Sequence, residues 1–165
     1  MSRAARVDGP PPGFSFSIFV PGDPVTQGSK RLVGRMWGKP RMIEDRAKDL
    51  KAWREKVATL AMVAYRKALR EDGQAPTVLI DGPVEVWATF YLRPPKRLTC
   101  FFPRTKPDGD KLMRAVGDAL TGVVWTDDAR VVDGHARKRY AGVIVRGQFA
   151  EYDESGVKIT VMVME

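Results

Sequence analysis

The chain contains one cysteine and one histidine in 165 residues, and no apolar run approaches the ~20 residues of a membrane span. A single cysteine excludes an intrachain disulfide, and Cys100 and His135 lack the partners that a Cys/His zinc site requires. Residues 1–13 carry Arg3 and Arg6, but Pro10-Pro11-Pro12-Gly13 follows where a secretory signal needs a continuous apolar segment. No export signal is expected, no membrane association is expected, and a reducing cytoplasm is the expected location. Acidic residues are outnumbered, 20 Asp and Glu against 28 Lys and Arg, for a net charge of +8. That surplus favours polyanionic partners through phosphate contacts and counterion release, although charge alone fits a plain basic surface equally well.

A composition of 44% hydrophobic and 29% charged residues is that of a soluble globular protein, and the length suits one domain burying about two-thirds of its unfolded surface. Residues 1–13 read as a flexible leader to a domain over 14–165. Phe14, Phe16, Ile18 and Val20 alternate with Ser15, Ser17 and Phe19 as a strand with one buried face. A turn-rich loop over 21–31 follows, then segments at 31–33 and 41–43 that pair as a hairpin across Gly34 to Pro40. Leu50, Trp53, Val57, Leu60, Ala61, Ala64 and Ala68 recur at helical spacing and predict a long amphipathic helix over 45–70. Val84, Val86, Ala88, Phe90 and Leu92 predict a strand that stops at Pro94-Pro95. A basic loop over 93–106 leads to a helix that Asp110 caps and Gly122 ends, with Leu112, Ala115, Val116 and Ala119 turned inward. Strands at 130–140 and 157–163 complete an α+β fold with a mixed sheet and no regular βαβ pattern.

The most informative stretch is Lys106-Pro-Asp-Gly-Asp-Lys-Leu-Met-Arg-Ala-Val-Gly-Asp-Ala-Leu-Thr-Gly122, followed closely by Trp125-Thr-Asp-Asp-Ala-Arg-Val-Val132. Asp108 and Asp110 approach one helix together, and each raises the other's pKa unless a cation lies between them. Asp127-Asp128 supplies a further carboxylate from a second element. Oxygen donors in this number suit hard Mg²⁺ or Mn²⁺, which in nucleases activate the attacking water and stabilise the leaving oxygen. Each aspartate also has a structural role open to it. Asp108 fits a turn, Asp110 an N-cap, Asp118 a solvated helix position, and Asp127-Asp128 a second turn.

The same residues, Lys106 to Gly122 followed by Asp127-Asp128-Ala-Arg-Val-Val132, resemble the RusA family of Holliday junction resolvases. A weaker likeness at the opening strand and Gly22-Asp-Pro24 extends the resemblance over residues 16–163. It implies a small α+β homodimer in which each subunit cuts one strand of a four-way DNA junction with Mg²⁺ held by aspartates, in recombination and repair. Carried over by motif position, Asp108, Asp110 and Asp128 become the metal-binding catalytic carboxylates, and Asp127 the turn residue presenting Asp128. The family's catalytic lysine falls on Arg114, and Lys111 stands where the family commonly has asparagine. Arg114 supplies charge one helical turn from Asp110 but cannot give up a proton; Lys111 can. A third reading pairs Arg114 with Asp110 or Asp118 in an inert helix. Asp118, two turns from Asp110, is placed to orient Arg114 or reach the metal's outer shell.

Lys30, Arg31, Lys96, Arg97, Arg104, Lys106, Arg137, Lys138 and Arg139 flank the acidic run and are the expected DNA contacts, with Gln27 as a further candidate. Trp37, Trp87 and Trp125 offer stacking surfaces for unpaired bases, but alternation favours buried packing for Trp87. Two other functions fit the same sequence. One is a broader structure-selective nuclease acting on flaps and forks; the other is a non-catalytic basic DNA-binding module.

Overall fold

In the computed structural model, residues 9–28, 30–37, 39–44, 46–145 and 151–165 are described, with the stretches 30–36 and 39–44 described by backbone alone. The element order is β1 (Ser15–Pro21), β2 (Lys30–Met36), β3 (Lys39–Glu44), α1 (Ala47–Glu71), β4 (Val84–Leu92), α2 (Gly109–Leu120), a 3₁₀ turn (Asp128–Arg130), β5 (Val131–Tyr140) and β6 (Gly156–Val163). Four strands form one mixed sheet in the order β1-β6-β4-β5, while β2 and β3 form a separate two-stranded ribbon. The fold is therefore α+β, as the patterning predicts. Strand β6 lies antiparallel between β1 and β4, and β4 runs parallel to β5 through the α2 crossover. This one βαβ unit was not legible in the apolar periodicity.

Both helices pack on one face of the sheet. Leu50, Trp53, Val57, Ala61, Tyr65 and Leu69 form the buried stripe of α1, and Leu112, Ala115, Val116, Ala119 and Leu120 that of α2. They meet Val84, Val86, Ala88 and Phe90 of β4 and Val157, Ile159, Val161 and Val163 of β6 in a single core. Strand residues of the opposite phase point to a face that no helix covers, so Trp87 and Met162 remain 40% and 38% exposed. Burial of Trp87, expected from its strand, is thus corrected by its phase. Trp125 is the fully buried tryptophan, its indole N–H donating to Thr121 Oγ1 (3.1 Å), which removes it as a stacking surface for DNA. Trp37, 95% exposed, does lie open to solvent.

The β2–β3 ribbon stays paired as far as Met36 and Lys39, further than expected: Gly34 lies at a bulge and Pro40 within the strand. Residues 1–8 lie outside the described part of the expected leader. Within the remainder, Pro10 is buried and the Gly13 amide donates to Val163 O (2.8 Å). Gly156 marks a close approach of β6 to β1, where a Cβ would lie 2.5 Å from Val20 O and from the Phe19 ring.

Candidate active site

Helix α2 begins at Gly109, two residues before the start that an Asp110 cap implies. Asp108, not Asp110, takes the N-cap position, but its side chain makes no capping hydrogen bond. The Asp108 carboxylate lies 3.1 Å from Lys111 Nζ instead, an i,i+3 ion pair on the helix's first turn. Asp110 sits inside that turn, where a negative charge complements the helix dipole. The residue after the helix, Thr121, is extended, and Gly122 adopts a left-handed φ of 76° that turns the chain away, as the sequence predicts.

Asp128 reaches the same region from the turn after α2. The Asp127 carboxylate accepts the Ala129 amide (2.8 Å) and caps the 3₁₀ turn that carries Asp128. A second brace comes from Asp81, which the sequence reading did not single out. Its Oδ1 accepts from Thr126 Oγ1 (2.8 Å) and from Arg130 Nη2 (2.7 Å), pinning both ends of the Asp128 turn. The Thr126 hydroxyl, followed by Arg130, holds the Asp81 carboxyl below its ordinary value.

Between α2 and β5 lies a pocket of about 500 Å³. Asp110, Arg114 and Asp128 contribute its charged groups, while Val86, Val116 and Trp125 form an apolar wall. Gly134 and Ala136 of β5 leave it room. Among the described residues, Asp110, Arg114 and Asp128 make no ion pair or side-chain hydrogen bond. Asp118, expected to orient Arg114, pairs instead with Arg54 of α1, whose Nη2 also donates to Gln27 Oε1 (2.9 Å). The inert-helix arrangement, Arg114 paired with Asp110 or Asp118, is therefore not formed, and Gln27 is occupied within the fold. Arg54 escaped the sequence reading because its partners lie 27 and 64 residues away.

The three proposed metal ligands do not converge fully. Asp108, Asp110 and Asp128 do not bring their oxygens within 4.8 Å of one another, a spacing that Glu85, Asp133 and His135 alone achieve among the described residues. Their oxygen donors nevertheless suit Mg²⁺, which keeps several waters and needs only one or two carboxylates.

The expected DNA contacts divide. Lys96, Arg97, Arg104 and Lys106 are exposed on the loop before α2, which also carries the exposed Leu98, Phe101 and Phe102. Lys138 donates to Thr105 O (2.8 Å) and Pro107 O (3.0 Å), so its ammonium ties β5 to the loop leading into Asp108. Arg137 and Arg139 have the opposite phase to Gly134 and Ala136. They lie over the Trp87 and Phe102 rings, with centroids 5.9 Å and 4.9 Å from their guanidinium carbons. Side chains of Lys30 and Arg31 lie outside the described set.

No helix among the described residues is long and apolar enough to cross a membrane. Residues 21–147 match the family described as Endodeoxyribonuclease RusA, a span that includes every residue of the pocket. The chain is also 32% identical over 138 residues to "Uncharacterized protein YqaN" of Bacillus subtilis (strain 168), covering 76% of this chain and 87% of that protein. With the motif aspartates gathered around α2 and the match spanning most of the fold, the chain belongs to the RusA family of endodeoxyribonucleases.

Proposed function

We propose that this protein is a Mg²⁺-dependent endonuclease that resolves four-way (Holliday) DNA junctions in recombination and repair, with Mn²⁺ able to substitute. The observation that carries the proposal is the set of Asp110, Arg114 and Asp128, drawn from two elements into one pocket with none of the three neutralised by a neighbour. Elsewhere in the described fold, aspartates such as Asp23, Asp81 and Asp118 are paired with arginines.

Asp110 and Asp128 would hold the ion, with Asp108, at the N-terminus of α2, as a further oxygen ligand. When bound, a hard divalent ion lowers the pKa of the attacking water and stabilises charge on the leaving oxygen. Water adds to the phosphorus, the bond to the leaving sugar oxygen breaks, and that oxygen takes up a proton. Arg114 faces the phosphate and stabilises the added negative charge, a task for a fixed cation that needs no proton transfer. Lys111 is committed to Asp108 and acts as its positioning partner. Exposed cations of the 93–106 loop contact the DNA backbone beside the pocket. Two copies related by a two-fold axis supply the paired incisions that a symmetric junction requires.

The test is incubation of the protein with a labelled four-way junction, a fork, a flap and a linear duplex, with Mg²⁺ or with EDTA. Paired, metal-dependent nicks on the junction alone are expected. Equal cutting of forks and flaps would replace junction resolution with broader structure selectivity, and binding without cutting under Mg²⁺ or Mn²⁺ would overturn the catalytic assignment.

A further inference from the structure

The side of β4 and β5 away from the pocket holds a second set of metal-binding groups. Glu85 stands opposite Asp133 across the parallel pair, and Trp87 opposite His135. One ligand atom each from Glu85, Asp133 and His135 lies within 4.8 Å of the others. His135 Nε2 is 3.0 Å from Asp133 Oδ1 and 3.5 Å from Glu85 Oε1. Three ligands around a tetrahedral ion at about 2.0–2.2 Å would lie roughly 3.3 Å apart, so these separations need little adjustment.

The histidine supplies an independent observation. Its side chain is 36% exposed, but the Nε2 atom itself is shielded from solvent and makes no hydrogen bond, leaving it only the ion-pair contacts to Asp133 and Glu85. The imidazole is held by stacking on Trp87, with ring centroids 3.7 Å apart and planes 14° from parallel. Glu85 is only 15% exposed. Two carboxylates are thus brought together beside a histidine that carries at most one positive charge, in a place where water can solvate Glu85 only partly.

We propose that Glu85, Asp133 and His135 form a second metal site, distinct from the Asp110–Asp128 pocket, that takes a borderline divalent ion of the Zn²⁺ class. The imidazole nitrogen discriminates against Mg²⁺, which takes oxygen donors, and favours Zn²⁺, which accepts nitrogen and oxygen together. One cysteine and one histidine cannot build a Cys/His zinc site, but His135 finds its partners in carboxylates from two strands. A bound ion would cross-link the edge strand β5 to β4 directly behind the pocket wall formed by Val86, Gly134 and Ala136.

The site is tested by equilibrium dialysis against Zn²⁺ in excess Mg²⁺, followed by metal analysis, using the full chain with Asp108→Asn, Asp110→Asn and Asp128→Asn to silence the pocket. One Zn²⁺ per chain is expected, with at least a tenfold loss of affinity on adding His135→Gln. The wild-type chain supplies a readout that needs no site mutant. Titration with Co²⁺ should quench Trp87 fluorescence, a change absent from Trp87→Phe, and Zn²⁺ should shift the His135 imidazole resonances. Absence of bound Zn²⁺, equal binding after His135→Gln, or unchanged imidazole resonances in the wild-type chain would overturn the site and leave His135 a plain ion-pair partner. None of these readouts depends on DNA cutting, so failure here is separable from failure of the junction assignment.

Discussion

Strands β4 and β5 present two faces of contrasting chemistry from one stretch of backbone. Towards the helices, Val86, Gly134 and Ala136 are small or apolar, and the charge in the pocket comes from α2 and the Asp128 turn rather than from the strands. Towards the open side, the strands themselves carry Glu85, Trp87, Asp133, His135 and Arg137, and these groups contact one another. Period-two alternation makes the separation strict, since adjacent residues cannot share a face. Charge content alone therefore does not locate a candidate active site in this fold. Among the described residues, the pocket is distinguished by charges that have no protein partner, and the opposite face by charges that have found each other.

The largest effect tests the unpartnered pocket charges. Asp110→Asn or Asp128→Asn should reduce junction cutting by about 1000-fold or more, as expected for losing a group that acts on the transition state, while gel-shift affinity is retained or tightened as repulsion from phosphate falls. A matched change on the open face, Trp87→Phe, should leave the cutting rate within about two-fold; comparable losses from both faces would erase the distinction. Next in size is Arg114→Ala, for which a loss of about 100-fold is expected in single-turnover cutting. Arg114→Lys should recover part of it without introducing a new pH dependence near neutrality. Recovery only at high pH would instead indicate that a neutral amine is required.

An intermediate effect joins the faces through β5. Lys138→Met removes both bonds to the loop carbonyls and should slow cutting by about tenfold through misplacement of Asp108, with a smaller effect on duplex binding. Arg54→Met, which leaves Asp118 unpaired at a third-exposed position, should cost about 1 kcal/mol and lower Tm by roughly 2–4 °C, read by calorimetry. The smallest effect is acidic. Asp81 has a lowered pKa in the fold, so its bracing of the Asp128 turn is present above the unfolded carboxyl value and lost as pH falls through the lowered one. The Tm difference between the wild type and Asp81→Asn should therefore shrink towards zero on acidification.

Much of this architecture was legible where a local period decides it. The stripe Leu50, Trp53, Val57 and Ala61 identifies α1, and the alternation of Val84, Val86, Ala88 and Phe90 identifies β4 within a residue of its observed ends. The motif aspartates were legible too, because Asp108, Asp110 and Asp128 lie close in sequence around one short helix. What escaped depended on distant pairing. Arg54 meets Asp118 across 64 residues, Lys138 reaches back to Thr105, and Asp81 braces a turn 45 residues downstream. Trp87 was misplaced for a different reason. Strand phase sends it to the second face of the sheet, and no helix lies there to cover it. The expected Asp110 cap lies two positions too late: Asp108 takes the N-cap position, and Asp110, inside the first turn, lines the pocket.

The braces around the pocket have an evolutionary and practical corollary. Asp81, Asp127 and Lys138 carry hydrogen bonds that keep the rim in shape, whereas Asp110, Arg114 and Asp128 make no ion pair or side-chain hydrogen bond among the described residues. If Asp110, Arg114 and Asp128 carry the proposed chemistry, reactivity and foldedness are encoded in different side chains, so those three can be disarmed while the braces of the rim stay in place. On the proposed function, a disarmed copy is expected to fold and to keep its hold on DNA, and so to occupy a branch point as a decoy that shields it from active copies.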